Sequence, residues 1–226
     1  MTHRGKKTLG GAIAQVTLTF DNGPVAEVTP HVLDVLGAHD IKASFFVIGT
    51  RLAVPEGRKA AERAKEEGHW IGNHSYTHTV SLGDADEAAF DDEVTKTQKE
   101  MGDLIHPDKL FRPYCNSGVL DNRVLKRSDV ERMVAEKYTC VLFNALTRDW
   151  EDGEGWVDTG LKEINSRPWT TLVLHDIPKT GAMRHLDRFV NLVKDEGHEF
   201  VQNYSPDALP ILKGDVLWSV DEYVSD

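Results

Sequence analysis

Apolar and polar positions change rhythm several times along this chain. From Ile13 to Phe20 they alternate, with Val16, Leu18 and Phe20 on one side and Thr17 and Thr19 on the other. A period of two marks a strand. Ala43–Ile48 is a nearly continuous apolar run, the pattern of a strand buried on both faces of a parallel sheet. Shorter runs at Trp70–Gly72, Leu110–Phe111, Tyr138–Asn144, Thr171–Leu174 and Phe200–Val201 predict further strands. Helical stretches lie between them. Thr29-Pro30 opens the first, with Thr29 as N-cap and Pro30 at the first helical position. Glu56–Glu67 is a second, stopped by Gly68. Asp84 to Ile105 reads as one long acidic helix, and Ser128-Asp129-Val130-Glu131 as a capping box for the next. Val157–Asn165 and Met183–Glu196 complete the set.

Strands and helices alternate at βαβ spacing, which implies a parallel sheet. About seven parallel strands predict an α/β fold, a single-domain distorted (β/α) barrel; a doubly wound sheet is the alternative. The 226 residues suit one substantial core. The whole of 1–226 is read as one domain, its core within about 13–203 and a tail, 204–226, packed on it.

Composition narrows the partners. Hydrophobic residues make up 40% and charged residues 28%, the balance of an ordinary globular protein, and the net charge is -11. Such a surface disfavours nucleic acid and anionic membranes, and fits a neutral or cationic small molecule or oligosaccharide. Two cysteines, Cys115 and Cys140, form no disulfide framework, so a reducing, cytoplasmic location is expected. Arg4, Lys6 and Lys7 precede Leu9–Ala14 and loosely mimic a signal peptide. That run is short, two glycines break it, and cleavage after Ala14 would cut into the first strand. The expectation is no export signal and no transmembrane helix.

Four polar signatures end or follow the predicted strands: Thr19-Phe20-Asp21-Asn22-Gly23-Pro24, His74-Ser75-Tyr76-Thr77-His78, Phe111-Arg112-Pro113-Tyr114 and Leu172-Val173-Leu174-His175-Asp176. Asp21 and Asn22 form an ordinary turn, or offer a carboxylate base and an amide oxygen at one rim. His74 and His78, four apart, either cap a helix start or share one face of a helical turn and bind a metal. Arg112 makes a surface ion pair, or orients a carboxylate. Asp149 could hold Arg112, while Trp150 packs in the core or offers a flat face to a sugar. His175 is a buried structural residue or a general acid.

In this order the signatures resemble the polysaccharide deacetylase family over about Val16 to Phe200. The resemblance implies a distorted (β/α) barrel that hydrolyses an N-acetyl amide, or occasionally an ester. It assigns Asp21 as base, Arg112 as the residue positioning it, Asp149 as the carboxylate holding that arginine, and His175 as acid. His74 and His78 become metal ligands. Val173 lines the acetyl pocket, and Trp150 the groove. Three departures stand out. Asn22 replaces the aspartate that serves as third metal ligand, so a divalent ion, zinc above all, is held weakly or is dispensable. Tyr114-Cys115-Asn116 follows Arg112-Pro113 where Pro-Tyr-Gly is usual, so the oxyanion-binding amide is that of Tyr114 or Cys115. Leu146 stands where the family has an aspartate. The expected activity is hydrolysis of a non-peptide carbon–nitrogen bond in an N-acetylated sugar. The alternatives are a metal-independent ureide hydrolase and a catalytically weak carbohydrate-binding relative. A cysteine hydrolase using Cys115 is a further, minor reading.

Overall fold

The computed structural model describes residues 12–226. The basic residues and Leu9–Gly11 of the leader-like stretch lie outside the described residues. Twelve short strands are described: β1 (Gln15–Asp21), β2 (Ser44–Val47), β3 (Trp70–Asn73), β4 (Leu110–Phe111), β5 (Leu125–Lys126), β6 (Thr139–Cys140), β7 (Ala145–Leu146), β8 (Trp169–His175), β9 (Glu199–Phe200), β10 (Ile211–Leu212), β11 (Asp215–Val216) and β12 (Val224–Ser225). The α-helices are α1 (Thr29–Ala38), α2 (Gly49–Leu52), α3 (Pro55–Glu66), α4 (Lys96–Met101), α5 (Arg127–Ala135), α6 (Trp156–Asn165) and α7 (Leu186–Asp195). Among the described residues no helix is long and apolar enough to cross a membrane.

The main sheet runs β11-β10-β6-β4-β3-β2-β1-β8-β7, with β9 on the start of β1. Every pairing from β6 through β7 is parallel, and only the tail strand β10 pairs antiparallel with its neighbours. Its ends do not meet, which makes this an open, distorted barrel. The tail packs on the body through β10, where Ile211 is fully buried, and through β12, which pairs with β5.

The alternation of β1 holds. Val16, Leu18 and Phe20, with Leu172 and Leu174 of β8, share one buried cluster with Val32, Leu33 and Leu36 of α1, Trp156 and Ile164 of α6, and Phe189 and Val190 of α7. The threonines of the opposite face are buried too, and each finds a partner. Thr17 donates to the Asn203 carbonyl, Thr171 bonds Ser205 at 2.9 Å, and Ser44 of β2 bonds Tyr204 at 2.8 Å. The chain after β9 therefore fills one end of the barrel with satisfied polar contacts. At the other end β1 and β8 finish level, with Asp21 the register partner of His175.

Several expected elements differ. The long acidic helix is broken: its regular part begins near Phe90 with a π-helical stretch, Phe90–Thr95, that passes into α4. Such wide turns are common at functional sites. This one turns Glu93 inward, where it is buried and accepts the Tyr76 and Thr77 amides at 2.8 Å each. The run Tyr138–Asn144 pairs only at Thr139–Cys140, because the Val141 and Leu142 carbonyls turn to Arg112. Thr29 does not cap α1; its hydroxyl accepts the Val25 amide at 2.7 Å and donates to Asp176. Helix α5 starts at Arg127, and Asp129 caps it by accepting the Lys126 amide at 2.8 Å, so Ser128 lies within the helix.

Candidate active site

Asp21 ends β1 and is only 4% exposed. Arg112, fully buried just beyond β4, donates to its Oδ1 at 2.7 Å and to Thr19 Oγ1 at 2.8 Å. Nε and Nη2 donate to the Val141 and Leu142 carbonyls at 3.1 and 2.9 Å, and Phe46 lies beneath the group at 4.1 Å. A buried cation on this many partners is rigid and keeps one carboxylate oxygen in place. The other, Oδ2, stands 3.6 Å from His74 Nε2.

Asp149 does not hold Arg112, contrary to expectation. Its carboxylate accepts the His175 backbone amide at 2.8 Å and meets His175 Nδ1 at 2.8 Å. Arg112 is engaged by Asp21, Thr19 and the Val141 and Leu142 carbonyls, and the turn after β7 aims Asp149 at His175 of β8 instead. Burial pulls the His175 pKa down, but the Asp149 hydrogen bond and charge, with Asp21 and Asp176 nearby, outweigh it and raise the pKa. The ring therefore holds a proton more readily than a free imidazole. Trp150 stands edge-on to it at 4.9 Å.

Asn22, His74 and His78 line the same cavity as Asp21. The histidines meet with ring centroids 4.7 Å apart, but through a loop and not a helical turn: Ser75 and His78 both have positive φ, 65° and 58°. Asn73 and Glu93 hold that loop. Asn73 Oδ1 accepts the Ser75 amide at 3.0 Å, and its Nδ2 donates to the Val94 carbonyl. His74 Nδ1 bonds the Arg112 carbonyl at 2.8 Å, which turns Nε2 toward the cavity. Burial, aided by His74, His175 and Arg51, drives the His78 pKa down to about 2, so its imidazole is neutral. Asn22 adopts φ 71°, a conformation asparagine tolerates, and its Oδ1 is buried with no hydrogen-bond partner. Among the described residues no three histidine, cysteine, aspartate or glutamate side chains meet as a metal cluster. Two imidazoles and an orphaned amide oxygen nevertheless form a donor set that suits a borderline divalent ion.

The cavity encloses about 300 Å³. Phe143, Leu146, Trp150, Val173 and Ile177 give it an apolar wall, and Tyr114 and Cys115 line it beyond Arg112. Tyr114 packs edge-on against His78 at 4.5 Å. Burial, with Asp21 nearby, pushes the Cys115 thiol far up, and its Sγ sits 3.4 Å from the Pro113 carbonyl. A thiol held protonated is no nucleophile.

Sequence reasoning passed over Asp176. It is fully buried, Thr29 donates to its Oδ2, and Oδ1 has no partner. The carboxylate presses on Gly23, where an added Cβ would lie 2.2 Å from Oδ2. Burial is the main influence on its pKa, and it is pushed up to about 7 against the opposing Thr29 hydrogen bond. Asp176 thus backs the turn that presents Asp21 and Asn22. Its place beside His175 was the only signal. Glu93, one acid in an acidic run, gave none.

The polysaccharide deacetylase family model matches residues 11–129. The peptidoglycan-N-acetylglucosamine deacetylase PgdA of Listeria monocytogenes is 31% identical over 191 residues, 83% of this chain and 37% of that protein. The chain thus spans little more than a third of that relative's length. A chitooligosaccharide deacetylase of Rhizobium leguminosarum bv. phaseoli is 31% identical over 181 residues, 76% of this chain and 72% of that one. Among solved structures, the Bc1960 peptidoglycan N-acetylglucosamine deacetylase superposes with a TM-score of 0.73 at 27% identity, covering 90% of this chain and 92% of that one. Deacetylases of this family work with a divalent metal ion. With three of the four signatures inside the matched segment and the barrel shared, this chain belongs to the polysaccharide deacetylase family.

Proposed function

We propose that the chain hydrolyses the acetamide of an N-acetylated sugar, with Asp21 as base and His175 as acid. The observation that carries this is their register: two neighbouring strand ends place a carboxylate, one of whose oxygens Arg112 leaves unbound, beside a histidine whose Nδ1 a second carboxylate engages. A base and an acid this close serve both halves of an acyl transfer to water.

Arg112 locks Asp21 Oδ1, which leaves Oδ2 to take a proton from a water in the cavity. That water attacks the acetyl carbon. The Tyr114 and Cys115 amides, which carry no hydrogen bond among the described residues, are the donors available to the developing oxyanion. Asp149 keeps Nδ1 of His175 engaged, so the acid proton sits on Nε2 and goes to the leaving amine. Trp150, Val173 and Phe143 enclose the acetyl methyl and exclude stray water. Asn22, His74 and His78 would hold the divalent ion, zinc by the chemistry of the donors. When bound, such an ion polarises the carbonyl and acidifies water.

The names of the relatives, a peptidoglycan-N-acetylglucosamine and a chitooligosaccharide deacetylase, support the sugar substrate. The net charge of -11 and the two free cysteines support a short soluble substrate met in the cytoplasm. Acetate release from N-acetylglucosamine oligomers, measured after chelation and after zinc is restored, tests the reading. Release that zinc restores is expected. Its absence from every N-acetylated sugar tried, zinc included, overturns the assignment.

A further inference from the structure

His74 and His78 are placed by different means. His74 directly follows β3, and its Nδ1 bonds the Arg112 carbonyl. The His78 ring nitrogens have no hydrogen bond among the described residues, and Tyr114 only packs edge-on against the ring. The position of that ring therefore depends on the backbone of residues 75–77. This backbone is strained at both ends, because Ser75 and His78 stand in the left-handed region. Residues with a side chain enter that region at a cost, and stay only where the surroundings over-determine it.

Here the surroundings do so. All four backbone N–H groups from Ser75 to His78 have acceptors within the protein. Asn73 Oδ1 takes that of Ser75, Glu93 Oε2 takes those of Tyr76 and Thr77, and Ser75 Oγ takes that of His78 at 3.1 Å. The Gly49 and Thr50 amides, at the start of α2, donate to the Ser75 and Tyr76 carbonyls at 3.0 and 2.9 Å. Glu93 Oε1 accepts the Thr77 hydroxyl at 2.7 Å. Glu93 is 3% exposed and pairs with no cation among the described residues, so its side-chain hydrogen bonds all go to this loop. The Tyr76 ring is clamped as well. It lies against Gly49, where a Cβ would come within 2.3 Å of it, and Lys96 Nζ stands 3.7 Å from its centre.

A loop whose amide donors are all satisfied by the protein needs no ion to define its shape. That matters beside Asn22. A neutral amide oxygen attracts a divalent ion less than a carboxylate does, and a donor set already in place lowers the ordering cost of binding. We propose that the 74–78 loop is preformed without metal, that Glu93 is the positioning residue that preforms it, and that this offsets the missing charge at Asn22. Glu93 does not line the cavity and acts through His78. The proposal rests on the metal-site part of the reading above.

Two measurements on the full chain test it, and neither uses a substrate. The first is amide hydrogen exchange in metal-free wild type. The Tyr76, Thr77 and His78 amides should exchange about 100-fold or more slowly than in an unstructured chain, with little further slowing when zinc is added. The second is zinc affinity by competition with a chelator, for wild type, Glu93→Gln and Thr77→Val, each at a temperature where circular dichroism shows it folded. Glutamine keeps the volume but offers one carbonyl oxygen in place of two acceptors, so affinity should fall about 10-fold or more. Thr77→Val removes one donor to Glu93 and leaves the amide bonds, and should cost about 3-fold. A Glu93 that served the fold alone would lower the melting temperature and leave the affinity of folded protein as it was. Unchanged affinity in whichever variant folds overturns the proposal. So do loop amides that only zinc protects, and wild type that binds no zinc. Protein that meets both expectations yet releases no acetate from any N-acetylated sugar leaves this proposal standing, and the catalytic reading alone falls.

Discussion

Replacing Asp176 by Asn should make the folded state far less sensitive to pH. The side chain keeps its shape, and the Thr29 hydroxyl keeps an acceptor. What disappears is a buried acid. In the folded protein burial raises this carboxyl from 3.8 to about 7. Folding therefore favours its protonated form. The sign follows: the contribution is fully present below about pH 4, and it is lost as pH rises through 7, where the carboxylate must ionise without water and with Oδ1 unpartnered. The interval from 3.8 to about 7, at about 1.36 kcal/mol per pH unit, comes to about 4 kcal/mol. That is a large share of the roughly 5–15 kcal/mol that holds a domain folded. Urea unfolding of wild type and Asp176→Asn at pH 4 and pH 8, at one ionic strength, isolates the effect, because other titrating groups cancel in the difference between the proteins. The variant should gain about 4 kcal/mol relative to wild type between the two pH values, with similar denaturant slopes. A stability difference that is the same at both, within about 0.5 kcal/mol, would refute the argument that Asp176 is buried as a neutral acid.

Asp21→Asn and His175→Ala should each lower kcat by roughly 100-fold or more with circular dichroism unchanged, and near wild-type turnover in either removes that residue from the mechanism. Asp149→Asn takes away the charge, and turns a charge-assisted hydrogen bond into a neutral one, both of which keep the His175 pKa raised. The basic limb of the kcat/KM profile should therefore move to lower pH, and a limb that stays put would mean another group sets it. Asn22→Asp adds a negative charge beside the two imidazoles, so zinc affinity measured by competition with a chelator should rise; an unchanged affinity would place Asn22 outside the donor set.

The chain wrote its strands plainly because a period of two is a local signal. Val16, Leu18 and Phe20 face the helices and Thr17 and Thr19 face inward, as their spacing requires. Asp21, Arg112 and His175 were legible for a related reason: each polar residue ends or follows an apolar run, and strand ends converge on one rim of a parallel barrel. Their partners were not legible. Arg112 reaches Asp21 across 91 positions, and Asp149 pairs with His175 and not with Arg112. Only the sheet order decides which strand ends are neighbours. The four-residue spacing of His74 and His78 suggested a helix, yet a loop with two positive-φ residues joins their rings, fixed from outside by Glu93 on a π-helical turn. Asp176 is the extreme case. Its burial, its orphaned oxygen and its pressure on Gly23 arise where β1 and β8 lie side by side. Local sequence sets period and turn chemistry. The partner of a buried charge is a long-range contact, chosen by the packing that excludes water around it.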